Sequence, residues 1–530
     1  MSPENRPDGK STRLNASNRQ VAVIELGTTS IRMAVAQVDS IEGIQALESL
    51  QQAVSLARDT FIHGEIANET IEECVKALRS FKHVLHEYDV PASEVTAIAT
   101  SAVREASNRD AFLDRLYIAT GISVRSVDAA EVNRYTYAAV HSLFAGNDFL
   151  KDADTLVVEV GGGSTEMLQF TYGHVANSLS YRLGSLRLRN DLEATHASSA
   201  RMRQIMNDQI NRTARQMAQA VNSERATRML ALGGDIRLAG RRLAKDWDES
   251  DLVKVNVTAL SGLAEEVLKK SVDSTVREFH ISYPDADTLG PALEVYVTLA
   301  RALGLRSLYA GKVSLRDGVL AELSAPGTLA DDFRQQVINS ALETGAKYEF
   351  DRNHAEQVAG ISRNLFQVLR DEHHLHQRYE LILVTAALLH DIGGFVSNRA
   401  HHKHSMYLIL NSDIFGLGGE DLTLTALVAR YHRRAMPKSS HDLYPSLPRE
   451  KRVAVMKMAA ILRVADAIAR GTGQADKMDM RIQSGTLAIA LEGAGSLAVQ
   501  QYALRQKGDL FERTYGMDVV LRSKRRGRIG

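Results

Sequence analysis

The chain has 530 residues, enough for roughly three or four compact domains. Lys plus Arg and Asp plus Glu both total 64, so the zero net charge points to neither a membrane surface nor specific nucleic acid as partner; an anionic ligand would need a local basic cleft. The single cysteine, Cys74, excludes an intramolecular disulfide. With no stretch of about 18 apolar residues and no signal-like leader, the expected setting is the cytoplasm.

Residues 1–19 are polar and are expected to be disordered. Val21-Ala22-Val23-Ile24 reads as a buried strand, Gly27-Thr28-Thr29-Ser30 as a tight turn, and Ile31–Val38 as the returning strand of a hairpin. Helical spacing follows over 66–88 (Ile71, Val75, Leu78, Phe81, Leu85). Val95–Ala99 is a strand that runs into Thr100-Ser101, two hydroxyl residues suited to cap a helix through Arg115. Thr155–Val160, a glycine turn and Met167–Phe170 repeat the opening hairpin, which suggests an internal duplication with one hairpin per domain. Helices and short strands alternate to about residue 325, where Ala325-Pro326-Gly327 is a candidate linker. The pattern is then almost wholly helical to about 475. Strand-like runs return around one helical stretch, and a basic tail closes the chain at Lys524, Arg525, Arg526 and Arg528. The expected architecture is α/β: domains over 20–143 and 144–325, an all-α domain over 326–478, and a small α/β piece over 479–530.

Two segments share one order of parts: strand, acid, glycine, hydroxyls. They are Glu25-Leu26-Gly27-Thr28-Thr29-Ser30 and Glu159-Val160-Gly161-Gly162-Gly163-Ser164-Thr165-Glu166. Glycines let main-chain N–H groups approach a phosphate, and hydroxyls add donors. An acid at the end of the preceding strand can hold a cation that offsets the phosphate charge.

This pair resembles the two phosphate loops of the actin/Hsp70/sugar-kinase superfold. Thr100-Ser101-Ala102-Val103-Arg104-Glu105-Ala106, Gly184-Ser185-Leu186-Arg187-Leu188 and Ser314-Leu315-Arg316-Asp317-Gly318 follow in the order of the Ppx/GppA family of exopolyphosphatases and guanosine pentaphosphate phosphohydrolases. The resemblance covers residues 20–520. It implies two actin-like (ribonuclease H-like) α/β domains and hydrolysis of a terminal phosphoanhydride of inorganic polyphosphate or guanosine pentaphosphate in the cleft between them. It also implies a homodimer. The implied phosphate binders are Gly27, Thr28, Thr29, Ser30, Ser101, Arg104, Gly161, Gly162, Gly163, Ser164 and Thr165, with Mg²⁺ held by Glu25 and Glu159.

The sequence departs from the family pattern where it matters for catalysis. Both strand-end acids are Glu rather than Asp. Glu166 matches one family carboxylate. The family's proposed base, the second Glu of Gly-x-Glu-Glu-Ala-Arg, aligns with Val132 in Asp128-Ala129-Ala130-Glu131-Val132-Asn133-Arg134. Glu131 could serve only through a one-residue slip, so the catalytic candidates are Glu166 and Glu131. Asp235 stands where the family commonly has Thr, and it would repel a phosphate unless a cation intervened.

The helical part carries His354, His390-Asp391 at the end of an apolar helix, His401-His402-Lys403-His404, His432 and Asp466. Imidazoles and carboxylates at polar helix ends suit a divalent transition metal. The ordered set His354, His390, Asp391, Asp466 is similar to the HD phosphohydrolase superfamily, with His404 and His432 as candidates for a second ion. His373, His374 and His376 are expected to form a solvated turn. Three readings remain open: a hydrolase in the N-terminal cleft; a polyphosphate or alarmone sensor fused to an active HD-type phosphohydrolase; and a regulator that only binds.

Overall fold

Every residue of β1 (Arg19–Leu26) from Val21 to Ile24 is fully buried, because strand alternation sends its side chains into two separate cores. Ala22, Ile24 and Leu26 pack with the helix Asn68–Glu87 on one face. Val21 and Val23 pack with the helices Ala129–Gly146 and Leu315–Ser324 on the other. The computed structural model describes residues 19–39, 43–147, 150, 152–193, 199–221, 227–247, 251–324, 328–438, 440–470, 478–483, 485–492 and 497–524. The expected disordered N-terminus through residue 18, the Ala325-Pro326-Gly327 linker and the tail arginines lie outside them.

β1 pairs antiparallel with β2 (Ser30–Asp39) and parallel with β4 (Val95–Ala99). With β3 (Gly43–Ala53) and β5 (Val124–Ser126) the first sheet runs β3-β2-β1-β4-β5. The second comprises β6 (Asp154–Val160), β7 (Thr165–Thr171), β8 (His174–Tyr181), β9 (Thr227–Leu232), β10 (Val253–Asn256) and β11 (Ser307–Ala310), in the order β10-β11-β9-β6-β7-β8. The run β3-β2-β1-β4 therefore has its counterpart in β8-β7-β6-β9. The suspected duplication is real at the level of topology, down to one closing bond per turn: Gly27 N to Ser30 O at 3.0 Å and Gly161 N to Ser164 O at 2.9 Å.

Two expectations change. The helix foreseen from Ser101 to Arg115 is broken into Ser101–Glu105 and Arg109–Thr120. The Asn108 carboxamide, bonded to both the N–H (2.9 Å) and the carbonyl (2.8 Å) of Ile66, holds the chain out of helical geometry between them. The helix Leu315–Ser324, expected within the second domain, instead crosses back onto the first sheet, and Arg19 donates to Leu323 O at 2.6 Å.

From Thr328 to Ala469 the regular elements are helical. Val337 and Phe415 of this unit share a core with Tyr137, Phe144 and Phe170, so it docks on the helix Ala129–Gly146 and on β7. The last unit is a three-stranded sheet, β12 (Met478–Gln483), β13 (Thr486–Glu492) and β14 (Asp518–Lys524). It carries two helices, Ala498–Lys507 and Asp509–Tyr515, where one was expected. Leu487, Ile489, Leu510 and Phe511 bury against the helical unit. Among the described residues no helix is long and apolar enough to cross a membrane.

Candidate active site between the glycine turns, and a histidine-aspartate centre

The two hairpin tips meet at the floor of a cleft of about 1810 Å³. Their approach demands glycine: a Cβ on Gly162 would stand 2.4 Å from Thr28 Oγ1, and one on Gly163 2.6 Å from Ser101 Oγ. Gly27, Thr28, Thr29, Ser30, Ser101, Arg104, Gly161, Gly162 and Ser164 all line the cleft, as the sequence led us to expect. The amides of Thr28, Thr29, Gly162 and Gly163 take no part in the turn-closing bonds. Thr165 and Gly163 are corrections. Thr165 is fully buried and its hydroxyl donates to Leu183 O, while Gly163 packs under Ser101 and Phe61, so neither side faces the cleft.

β-sheet register fixes the acids. Glu159 and Glu166 are opposite one another on β6 and β7, as Glu25 and Arg32 are on β1 and β2. Glu166 is 7% exposed; its Oε1 accepts from Ser164 (2.9 Å) and Ser180 (3.0 Å), and its Oε2 is buried without a hydrogen-bond partner. Burial raises its pKa, opposed by the two serines and by Arg104. Glu25 is bound by the guanidinium of Arg316 at 2.5 Å, so an arginine from the helix Leu315–Ser324 supplies the positive charge expected there from Mg²⁺. Burial, with Glu25 and Glu166 nearby, pushes Glu159 up to about 7. Asp235 is likewise pushed up to about 7, by burial and by Asp285. Crowded carboxylates fit a divalent cation beside Glu159.

The position of Glu131 is the third correction. It closes the capping box at the start of the helix Ala129–Gly146: Asp128 accepts from Glu131 N at 2.9 Å, and Glu131 Oε2 accepts from Asp128 N at 3.3 Å. Its Oε1 binds Arg125 at 2.5 Å. Val132, the next residue, is the one that faces the cleft. Glu131→Gln, which keeps an acceptor for Asp128 N and loses only the half-exposed ion pair with Arg125, is therefore expected to leave phosphate release within about twofold of wild type and to cost no more than about 1 kcal/mol in urea unfolding. Val132→Glu, which puts a carboxylate where this chain has none, is expected to raise the rate of phosphate release by about 100-fold in a malachite-green assay.

The raised acids also set a pH dependence. A carboxyl whose folded pKa lies above its unfolded value destabilises the fold as it ionises. The effect is absent below the ordinary carboxylate range, grows as pH rises toward 7, and is constant above. Because the buried neutral histidines of the helical unit act in the opposite sense, the effect of these acids is read by difference: metal-free wild type should lose stability relative to Glu159→Gln between about pH 4.5 and 7. Added Mg²⁺ should recover more of that loss at pH 7.5 than at pH 5, as read by differential scanning calorimetry.

The helical unit brings together a second set. His354 begins the helix Arg352–Val368, His390-Asp391 follow the helix Arg378–Leu389, His401 begins the helix His401–Leu410, and His432 follows the helix Gly419–Arg430. They form two ligand triads that share Asp391: His354, His390, Asp391 and Asp391, His401, His432. Asp391 Oδ1 lies 3.2 Å from His401 Nε2 and 3.3 Å from His432 Nε2; Oδ2 lies 3.4 Å from His390 Nε2. Gly393 permits this, since a Cβ there would stand 2.1 Å from His401 O. The Nδ1 atoms of His390 and His432 each sit 2.7 Å from the carbonyl three residues earlier, which turns Nε2 inward. His390 Nε2 is buried without a partner. Burial lowers the pKa of His354, His390 and His432, keeping them neutral with lone pairs available. Burial disfavours the charge on Asp391, but His390, His401 and His432 outweigh it and hold the carboxyl well below its usual range. This donor set fits divalent transition metals.

One expected ligand is corrected here. His404 is outside both triads; the helix starts at His401, so that residue occupies the corner instead. Asp466 stands at the edge of the first triad: Oδ2 is bound by Lys507, while Oδ1, buried without a hydrogen-bond partner, lies 3.5 Å from His354 Nε2 and is free to ligate an ion held there. His373 is not solvated but a core histidine, 1% exposed, with Nε2 2.8 Å from Phe366 O. His401 was visible in the sequence as a member of a histidine run, though its choice over His404 required the helix start. Lys507 gave no sequence signal.

The profile of the Ppx/GppA phosphatase family matches residues 34–325, and that of its domain III matches 334–494. The chain belongs to the Ppx/GppA phosphatase family. A guanosine-5'-triphosphate,3'-diphosphate pyrophosphatase of Pseudoalteromonas translucida is 24% identical over 449 residues, covering 81% of this chain and 84% of the relative. The structure of an exopolyphosphatase from Cytophaga hutchinsonii matches at 19% identity with a TM-score of 0.52, over 59% of this chain and 99% of its own. The Aquifex aeolicus Ppx/GppA family member matches at 20% identity with a TM-score of 0.48, over 58% of this chain and 99% of its own. The expected fold, two actin-like α/β domains ahead of a helical C-terminal region, holds for this Ppx/GppA protein.

Proposed function

We propose that this Ppx/GppA protein releases terminal phosphate from inorganic polyphosphate or guanosine pentaphosphate in the cleft between its two glycine turns. Glu166 carries the reading: a buried carboxylate with one oxygen fixed by two serines and the other without a partner, placed beside turns whose amides are available to an anion. In this reading the main chain at Thr28, Thr29 and Gly162 holds the terminal phosphoryl group, Arg104 draws in its charge, and Glu166 orients the attacking water and takes its proton. Mg²⁺ held beside Glu159 would neutralise phosphate charge and leave Glu166 Oε2 free for the water. With Val132 in the cleft, the rate is slow by the standard of an enzyme with two carboxylates there. The working unit we propose is a cytoplasmic homodimer, on family resemblance.

The test is phosphate release from a panel of polyphosphates and guanosine pentaphosphate, by wild type, Glu166→Gln and Asp391→Ala. Release that survives Asp391→Ala and collapses in Glu166→Gln supports the cleft; the opposite pattern removes it.

The two triads favour a second reading alongside the first: an HD-type centre, with His354, His390, Asp391, His401 and His432 holding divalent ions, that hydrolyses a phosphoester. The cleft then binds polyphosphate or an alarmone as an effector. Phosphate release from nucleotide monoesters and diesters that depends on Asp391 and not on Glu166 is the result expected of it.

A further inference from the structure

Lys507 ends the helix Ala498–Lys507 in the C-terminal unit, beyond the residues matched by either family profile. It is 7% exposed, and its ammonium donates to Asp466 Oδ2. Asp391 is close enough to stabilise its charge, and that charge is felt at His390 and His432. The C-terminal unit therefore delivers a fixed cation to the edge of the two triads.

Burying an ammonium is unfavourable unless its donors are met, and it has three. Asp466 meets one. Charge balance points the same way. Two divalent ions and one ammonium, set against Asp391 and Asp466 among neutral imidazoles, leave an excess of positive charge. Asp391 is 48% exposed, so the centre is open to a ligand on that side. An anion bound beside Lys507 would offset that charge and accept from its ammonium.

We propose that Lys507 is the anion-binding cation of the histidine-aspartate centre, contacting a phosphoryl oxygen of a bound phosphoester, with Asp466 Oδ2 holding its ammonium in place. This rests on the second reading above and adds to it the residue that selects a phosphorylated ligand.

The experiment uses the full chain loaded with Co²⁺ and titrated with inorganic phosphate. The visible bands of histidine-bound cobalt report this centre, whereas phosphate in the oxygen-lined N-terminal cleft leaves them unchanged. Lys507→Met should weaken the phosphate-induced spectral change by at least about tenfold in Kd, with the cobalt content of wild type. Lys507→Arg should keep most of the affinity. Unchanged phosphate affinity in Lys507→Met overturns the proposal. If Lys507→Met does not fold, Lys507→Gln with the cobalt content and the phosphate affinity of wild type overturns it equally. Wild-type protein that takes up no histidine-bound cobalt removes the second reading itself, and is recognised as such before any phosphate is added.

Discussion

In the proposed histidine-aspartate metal centre, Asp391→Ala is expected to empty both ion positions with one substitution. Its carboxylate is the only member common to both triads, with Oδ1 between His401 and His432 and Oδ2 toward His390. Removing it leaves two imidazoles at each position, too few for a stable site where four or more ligands are usual, waters included. The visible absorption of histidine-bound Co²⁺ after loading and gel filtration should fall to less than about a tenth of wild type. His354→Ala touches one triad alone and should retain about half. Equal losses in the two variants would mean that the triads are not separate ion positions. The backbone around Asp391 should tolerate the change, because Ser405 holds this corner independently: its hydroxyl donates to His390 O at 2.7 Å and accepts from Gly393 N at 2.9 Å.

The second large effect is expected at Glu166. Glu166→Gln keeps an oxygen acceptor for Ser164 and Ser180, so the local fold should survive, while the ability to accept a proton is lost. Turnover should drop by about 100- to 1000-fold with KM within a few-fold, the signature of a group used only in the transition state. A rise in KM with unchanged turnover would instead make Glu166 a binding residue and leave the cleft without a base. The variant should not alter metal loading of the histidine-aspartate centre, whose residues all lie in the helical unit.

The contrast between Glu131 and Val132 shows where sequence reasoning reaches its limit. Alignment put a valine at the base position and left one acid next to it. A helix separates consecutive residues by about 100°, so only one of the two could face the cleft. Which one was decided by the helix N-terminus, where Asp128 and Glu131 satisfy each other's backbone N–H groups and Arg125 fixes the remaining oxygen. The same kind of ambiguity lay in the histidine run, where His401 and His404 are one turn apart. The approach allowed by Gly393 put His401 at Asp391.

The hairpins, their duplicated glycine turns, the all-helical third unit and the His390-Asp391 pair at a helix end were all legible in the sequence. Each depends on local periodicity or on residues adjacent in the chain, which the sequence states directly. The ion pair of Glu25 with Arg316, the return of the helix Leu315–Ser324 to the first sheet, and the arrival of Lys507 at Asp466 were not. These join residues 291, roughly 300 and 41 positions apart. They are set by which buried faces cover which sheets and helices, and only the assembled tertiary structure decides that.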